Sequence, residues 1–153
     1  MEKVTLKLHE FYALEAELNG VSNTQTGEVL LKGLLQEKLK LVTKYWINDL
    51  VKKVAEVKQD CEKLKEDILK KYGTQDDQGN YTIQMYINPV KNEAGQIISG
   101  DPNPVFLEFQ NEFNALLQET RELEYKAFSI DILEKIESDA NYPIFFSLLK
   151  TEA

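Results

Sequence analysis

This sequence has one histidine, His9, and one cysteine, Cys61. A lone imidazole excludes every site that needs two and leaves at most a single general base. A lone thiol excludes an intramolecular disulfide, which fits an intracellular, reducing origin. Positive charge is also scarce: 18 Lys and Arg stand against 26 Asp and Glu, a formal net charge of −8. Nucleic-acid binding relies on basic patches that displace counterions from phosphate, so no nucleic-acid partner is expected. An anionic membrane would be repelled by the same excess of acid. No apolar run is long enough to span a bilayer. The first six residues alternate polar and apolar where a signal peptide would show a basic and then an apolar stretch. Gly-rich phosphate loops, a Gly-x-Ser-x-Gly turn, paired Cys motifs and internal repeats are all missing, so no cofactor is expected.

What is present has the composition of an ordinary globular protein, with 153 residues, 42% apolar and 29% charged. A chain of this length reads as a single domain, 1–153, able to bury roughly two thirds of its unfolded surface. Its dominant stretch is 29–72, where Leu31, Leu35, Leu39, Val42, Trp46, Leu50, Val54, Val57, Cys61, Leu64, Ile68 and Tyr72 recur at steps of three or four. That spacing predicts one long central helix, bent at most at Gly33, capped by Thr24 or Thr26 and stopped by a left-handed Gly73. Its length would be on the order of 65 Å. Leu30, Leu34, Leu41 and Tyr45 widen the stripe of the first half, which places that half in the core. From 52 to 72 a single seam among lysines and acids predicts an arm that needs a partner.

Elsewhere Val4, Leu6 and Leu8 alternate as a strand, and Phe11, Leu14 and Leu18 make a short helix that Asn19-Gly20 stops. Alternation from Tyr81 to Ile87 and a turn at Asn92-Glu93-Ala94-Gly95 predict a β-hairpin over 81–99. Asn103-Pro104 starts a helix bearing Phe106, Phe109 and Phe113. Leu123 to Phe128 reads as a strand, Ser129 as the cap of a short helix, and Asn141-Tyr142-Pro143 as the opening of a last one. The expected fold is α+β and mainly helical, with shorter helices packed on a small antiparallel sheet that joins the first strand, the hairpin and the strand at 123–128.

Chemistry finds little support. His9 lies beside Glu10 and Glu15 but reads as a surface residue at a strand-to-helix junction. Cys61 has Lys58, Lys63 and Lys65 near it in sequence, yet its place in the stripe reads as packing. Asp76, Asp77 and Asn80 depart from the spacing of a calcium loop. Glu119, Glu122 and Glu124, and the pair Glu134 and Glu137, lack the Glu-x-x-His partner of carboxylate-bridged metal sites. No catalytic or metal site is expected, and the chain reads as not an enzyme. Aromatic residues are more informative, because aromatic anchors are enriched where proteins dock. The candidate interface comprises Tyr45, Trp46, Val54, Val57, Leu64, Ile68, Tyr72 and Tyr86.

The layout resembles small tailed-bacteriophage proteins of unknown function. In these a strand and short helix lead into a long charged helix ending in a stop like Lys71-Tyr72-Gly73, followed by an acidic turn like Asp76-Asp77-Gln78-Gly79-Asn80 and a strand. The likeness continues through the helix from Phe106 to Leu117 and the segment Glu122-Leu123-Glu124 to Phe128-Ser129-Ile130. It implies a phage protein of the virion or the host cytoplasm and brings no site residues. Joined to the missing catalytic constellation, it points to a non-enzymatic virion or assembly component. Such a component acts on protein partners, as a homo-oligomer or a subunit of a complex. The alternative is an acidic inhibitor of a bacterial antiviral defence protein.

Overall fold

The structure is a computed structural model and describes residues 1–136 and 141–150. In chain order the elements are β1 (Glu2–Lys7), α1 (Leu8–Asn19), β2 (Val21–Ser22), β3 (Val29–Leu31), a 3-10 turn at Leu34–Gln36, and α2 (Leu41–Tyr72). There follow β4 (Thr74–Gln75), β5 (Tyr81–Thr82), β6 (Tyr86–Lys91), β7 (Ile97–Pro102) and α3 (Pro104–Leu117). The chain closes with β8 (Thr120–Tyr125), β9 (Phe128–Ser129), a 3-10 helix at Ile130–Lys135, α4 (Pro143–Ser147) and β10 (Leu149–Lys150). The fold is α+β, as the sequence predicts. The chain divides into two compact units, residues 1–60 with 118–153, and Cys61–Leu117.

The first unit holds nearly all of the core. β1 pairs antiparallel with β8, Val4 opposite Leu123, and Leu6, Leu123 and Tyr125 are buried. α1 begins where the Glu10 carboxylate accepts the Lys7 N–H at 2.9 Å, satisfying a donor at the helix start. Its buried residues Leu8, Phe11, Leu14 and Leu18 follow helical spacing, and it stops at Gly20, whose φ of 80° suits glycine. α4 packs on α1. Tyr142 and Phe145 are fully enclosed, and the Phe145 ring lies 5.1 Å from that of Phe128.

The long helix is shorter than its stripe predicts. Residues 29–31 form a strand on β2, and Gly33 is extended, with φ −76° and ψ 153°. A Cβ on Gly33 would stand 2.3 Å from the Asn19 carbonyl carbon, so glycine is required there for close backbone passage and does not bend a helix. Asn23 Oδ1 accepts the N–H groups of Gln25 and Thr26 at 2.9 and 3.2 Å, closing a local turn, so neither Thr24 nor Thr26 caps α2. Inside α2 the buried series is Ile47, Leu50, Val54, Val57 and Cys61. Ile47 thus takes the position expected of Trp46. Leu41, Val42 and Tyr45 are exposed, so the widened stripe there does not mark a core face, and the neighbouring Leu34 is the residue enclosed. The helix ends at Tyr72 as expected, but Gly73 is not left-handed. Its Cα passes so close to the chain that a Cβ would lie 2.6 Å from the Leu69 carbonyl oxygen.

The second unit contains residues 61–72 of α2, β4 to β7 and α3. The single strand expected over 81–87 is divided. Tyr81–Thr82 pairs with Thr74–Gln75 around a turn in which Asp76 Oδ1 accepts from the Gln78 and Asn80 N–H groups, both at 2.9 Å. The hairpin proper pairs Tyr86–Lys91 with Ile97–Pro102. Its register shifts between Ile87 and Val90, where Asn88 takes a φ of 51°. Asn88 precedes Pro89, whose ring disfavours the right-handed helical region for it. Asn103 caps α3 as expected, its Oδ1 accepting the Val105 N–H at 3.1 Å. The single joined sheet is not formed: the strands of the described residues make five two-stranded pairs.

Tyr142 gives this arrangement a test. Its hydroxyl lies 3.0 Å from the Lys32 carbonyl oxygen and 3.1 Å from Glu37 Oε1, in the interior. Tyr142→Phe is expected to cost about 1–2 kcal/mol, lowering the melting temperature by roughly 2–8 °C. The same change at the exposed Tyr45 should stay within about 0.5 kcal/mol. Equal effects in thermal denaturation would show that the buried hydroxyl contributes nothing.

Candidate functional site

The groups first considered for chemistry are dispersed. His9 is exposed in the first turn of α1, and Cys61 is buried. Among the described residues no three His, Cys, Asp or Glu side chains stand close enough to hold a metal ion. The two acids buried with their carboxylates, Glu17 and Glu37, escaped the sequence reading. Glu17 accepts the Phe145 N–H at 3.0 Å and the Ile144 N–H at 3.3 Å, capping α4. Glu37 pairs with Lys32 Nζ at 3.3 Å and meets Tyr142. Glu17 carries one sequence signal, its place three residues after Leu14 on α1, and Glu37, in extended backbone after the 3-10 turn, carries none.

The candidate interface residues separate into three groups. Val54 and Val57 are core residues of the first unit, 0% and 6% exposed, and offer no surface. This corrects their assignment: they lie on the seam that the first unit closes over. Tyr45 is 65% exposed and stands edge-on to Trp46, ring centroids 5.1 Å apart. Leu64, Ile68, Tyr72 and Tyr86 belong to the second unit; Leu64 is exposed and the other three are half-buried. There Tyr72 joins Lys71 and Glu112. Lys71 Nζ reaches Glu112 at 3.2 Å. The Glu112 carboxyl is held below its ordinary range by the Tyr72 hydroxyl first and Lys71 second. The Tyr72 hydroxyl is raised in turn, chiefly by Glu112.

Trp46 forms one wall of a cavity of about 320 Å³ in the first unit. Leu39, Val42, Ala127, Phe128 and Ile132 complete its apolar lining, and Lys40, Lys126, Lys135, Thr43, Ser129 and Asp131 surround it. Phe128 is fixed by its contact with Phe145, and Ile132 by a 3-10 helix whose cap, Ser129 Oγ, accepts the Asp131 N–H at 3.3 Å. Lys126 Nζ lies 5.7 Å from the centre of the Trp46 ring, a cation–π distance. Sequence reading singled out Trp46 but not its neighbours, because Lys126 lies eighty residues further along the chain.

Comparison with protein-family models, with curated proteins and with solved structures found no match for this chain. Among the described residues no helix is long and apolar enough to cross a membrane.

Burial raises the Glu17 carboxyl above its ordinary value, against the opposing pull of the Phe145 and Ile144 N–H groups. An acid that holds its proton more tightly when folded adds stability below its unfolded value and loses it as the pH climbs through the folded one. Relative to Glu17→Gln, the wild-type protein should therefore gain melting temperature as the pH falls from neutrality toward the ordinary carboxylate range. A difference that stays constant, or that changes in the opposite direction, would show that burial does not dominate at this carboxyl.

Proposed function

We propose that the protein works by association with other proteins and carries no chemistry of its own, with Cys61–Leu117 as its docking unit. The observation that carries this reading is the unit's lack of a filled interior. Cys61 is its one buried residue. Leu64, Met85, Ile87, Val90, Ile97, Ile98, Val105 and Leu107 are all 40% exposed or more. Scattered single apolar residues are normal on a surface, but a unit that exposes most of its large aliphatic side chains and fully buries none of them is unfinished until something covers them. The three phenylalanines of α3 are half-buried and stack along one stripe, Phe109 on Phe113 at 6.1 Å, with Lys65 Nζ 5.1 Å from the Phe113 ring. They give the unit local order without closing it.

A second copy of the chain is the partner proposed, forming a homo-oligomer or one subunit of a larger complex. What supports a virion or assembly component, in the virion or the host cytoplasm, is the likeness of layout to small tailed-phage proteins. The net charge of −8 supports the second reading, an acidic inhibitor of a bacterial defence protein.

Light scattering across a concentration series tests the proposal. The wild-type mass should exceed that of one chain, and Leu64→Glu and Ile98→Glu should return it to one chain. Both residues are exposed, 48% and 63%, so neither change should disturb the fold of the monomer. A single-chain mass at every concentration would overturn self-association. Capture of a basic host protein by that monomer would then favour the inhibitor.

A further inference from the structure

We propose that the Trp46 cavity binds a small amphipathic carboxylate, its apolar body against Trp46, Phe128 and Ile132 and its anionic head among Lys40, Lys126 and Lys135. Shape, charge and free hydrogen-bonding capacity each lead to this class of ligand. At about 320 Å³ the cavity falls at the small end of the range for ligand sites, suited to one small molecule. Its lining reverses the sign of the chain, with three lysines and one acid, Asp131, in a protein of net charge −8. None of the three lysines makes an ion pair among the described residues, whereas Lys3, Lys32, Lys53, Lys58 and Lys71 all do. Their ammonium groups are therefore free to meet a carboxylate. Lys126 is moreover held over the Trp46 ring, which places a positive charge beside the apolar wall.

The two halves of the site make different demands. A lysine rim alone would take any small anion, and an apolar lining alone would take a neutral molecule of the right size. Only a ligand with both parts satisfies the whole site, because the apolar body leaves water while the charged head stays at the rim. The site lies entirely in the first unit and does not depend on self-association.

Octanoate, 1-octanol and acetate separate these contributions. Trp46 is the only tryptophan, so its emission reports on the cavity directly, and titration calorimetry supplies the affinities. Octanoate is expected to shift Trp46 emission saturably and to bind about tenfold more tightly than 1-octanol, with no binding of acetate. The double change Lys126→Met with Lys135→Met should lower octanoate affinity to that of 1-octanol, while Lys126→Arg with Lys135→Arg should retain it. All four substitutions fall on exposed side chains, and unchanged melting curves would confirm the fold. Equal affinity for octanoate and 1-octanol, absence of a saturable change with octanoate, or octanoate binding untouched by loss of both lysines would each overturn the proposal.

Discussion

The carboxylate of Glu17 caps α4 from within the core, and the rest of the first unit follows from that contact. A five-residue helix has no stability of its own, since its nucleus is unfavourable and its first N–H groups lack partners. Glu17 supplies those partners from α1, at the cost of removing a charged group from water. Once α4 is fixed, Phe145 is placed against Phe128, and Phe128 forms the floor of the cavity beside Trp46. β10 then pairs with β9 in parallel, Leu149 opposite Phe128, and secures the same residue from its backbone. A buried carboxylate of α1 and the two backbone N–H groups it accepts thus position a residue of a surface cavity near the start of α2.

The seam of α2 has two characters along one helix. Through Cys61 every third or fourth residue is enclosed; beyond it Leu64 is exposed and Ile68 and Leu69 are half-buried. Sequence periodicity continues unchanged across that point. Periodicity records which face of a helix is apolar and not what covers it. The second unit has one hairpin, β6 with β7, of exposed aliphatic residues and a helix without one buried side chain. A hydrophobic face that stays open after folding retains its full driving force for association.

Much of the fold was legible where a local rule sets the outcome. The stop of α1 at Gly20, the Asn103 cap before Pro104, the Ser129 cap and the opening of α4 at Pro143 all rest on chemistry within a few residues. The stretch 29–39 was not legible, because Leu30, Leu31, Leu34 and Leu35 satisfy a helical stripe while the decision is made by partners elsewhere. Val29 and Leu31 pair with β2, and Gly33 passes against the end of α1. Division of the expected strand at 81–87 has a similar cause, since Asn103 Nδ2 donates to the Gln84 carbonyl oxygen at 2.7 Å and draws that backbone out of any ladder. Alternating residues cannot reveal a hydrogen bond from nineteen positions away.

The cavity shows why the site was harder to read than the fold. Trp46 could be selected as an aromatic on a charged helix, but the same reasoning put Val54 and Val57 on the surface and left the lysines out altogether. In a chain with eight more acids than bases, a lysine counts for nothing singly. Lys40, Lys126 and Lys135 matter only because β8 returns the chain to α2, where the Lys53 ammonium donates to the Glu124 carbonyl oxygen at 3.0 Å. That contact, two residues before Lys126, brings the basic side chain over Trp46 and sets an exposed charge at the rim of an apolar cavity. Local charge of this kind is a property of the folded surface; net charge, read from composition, describes only its average.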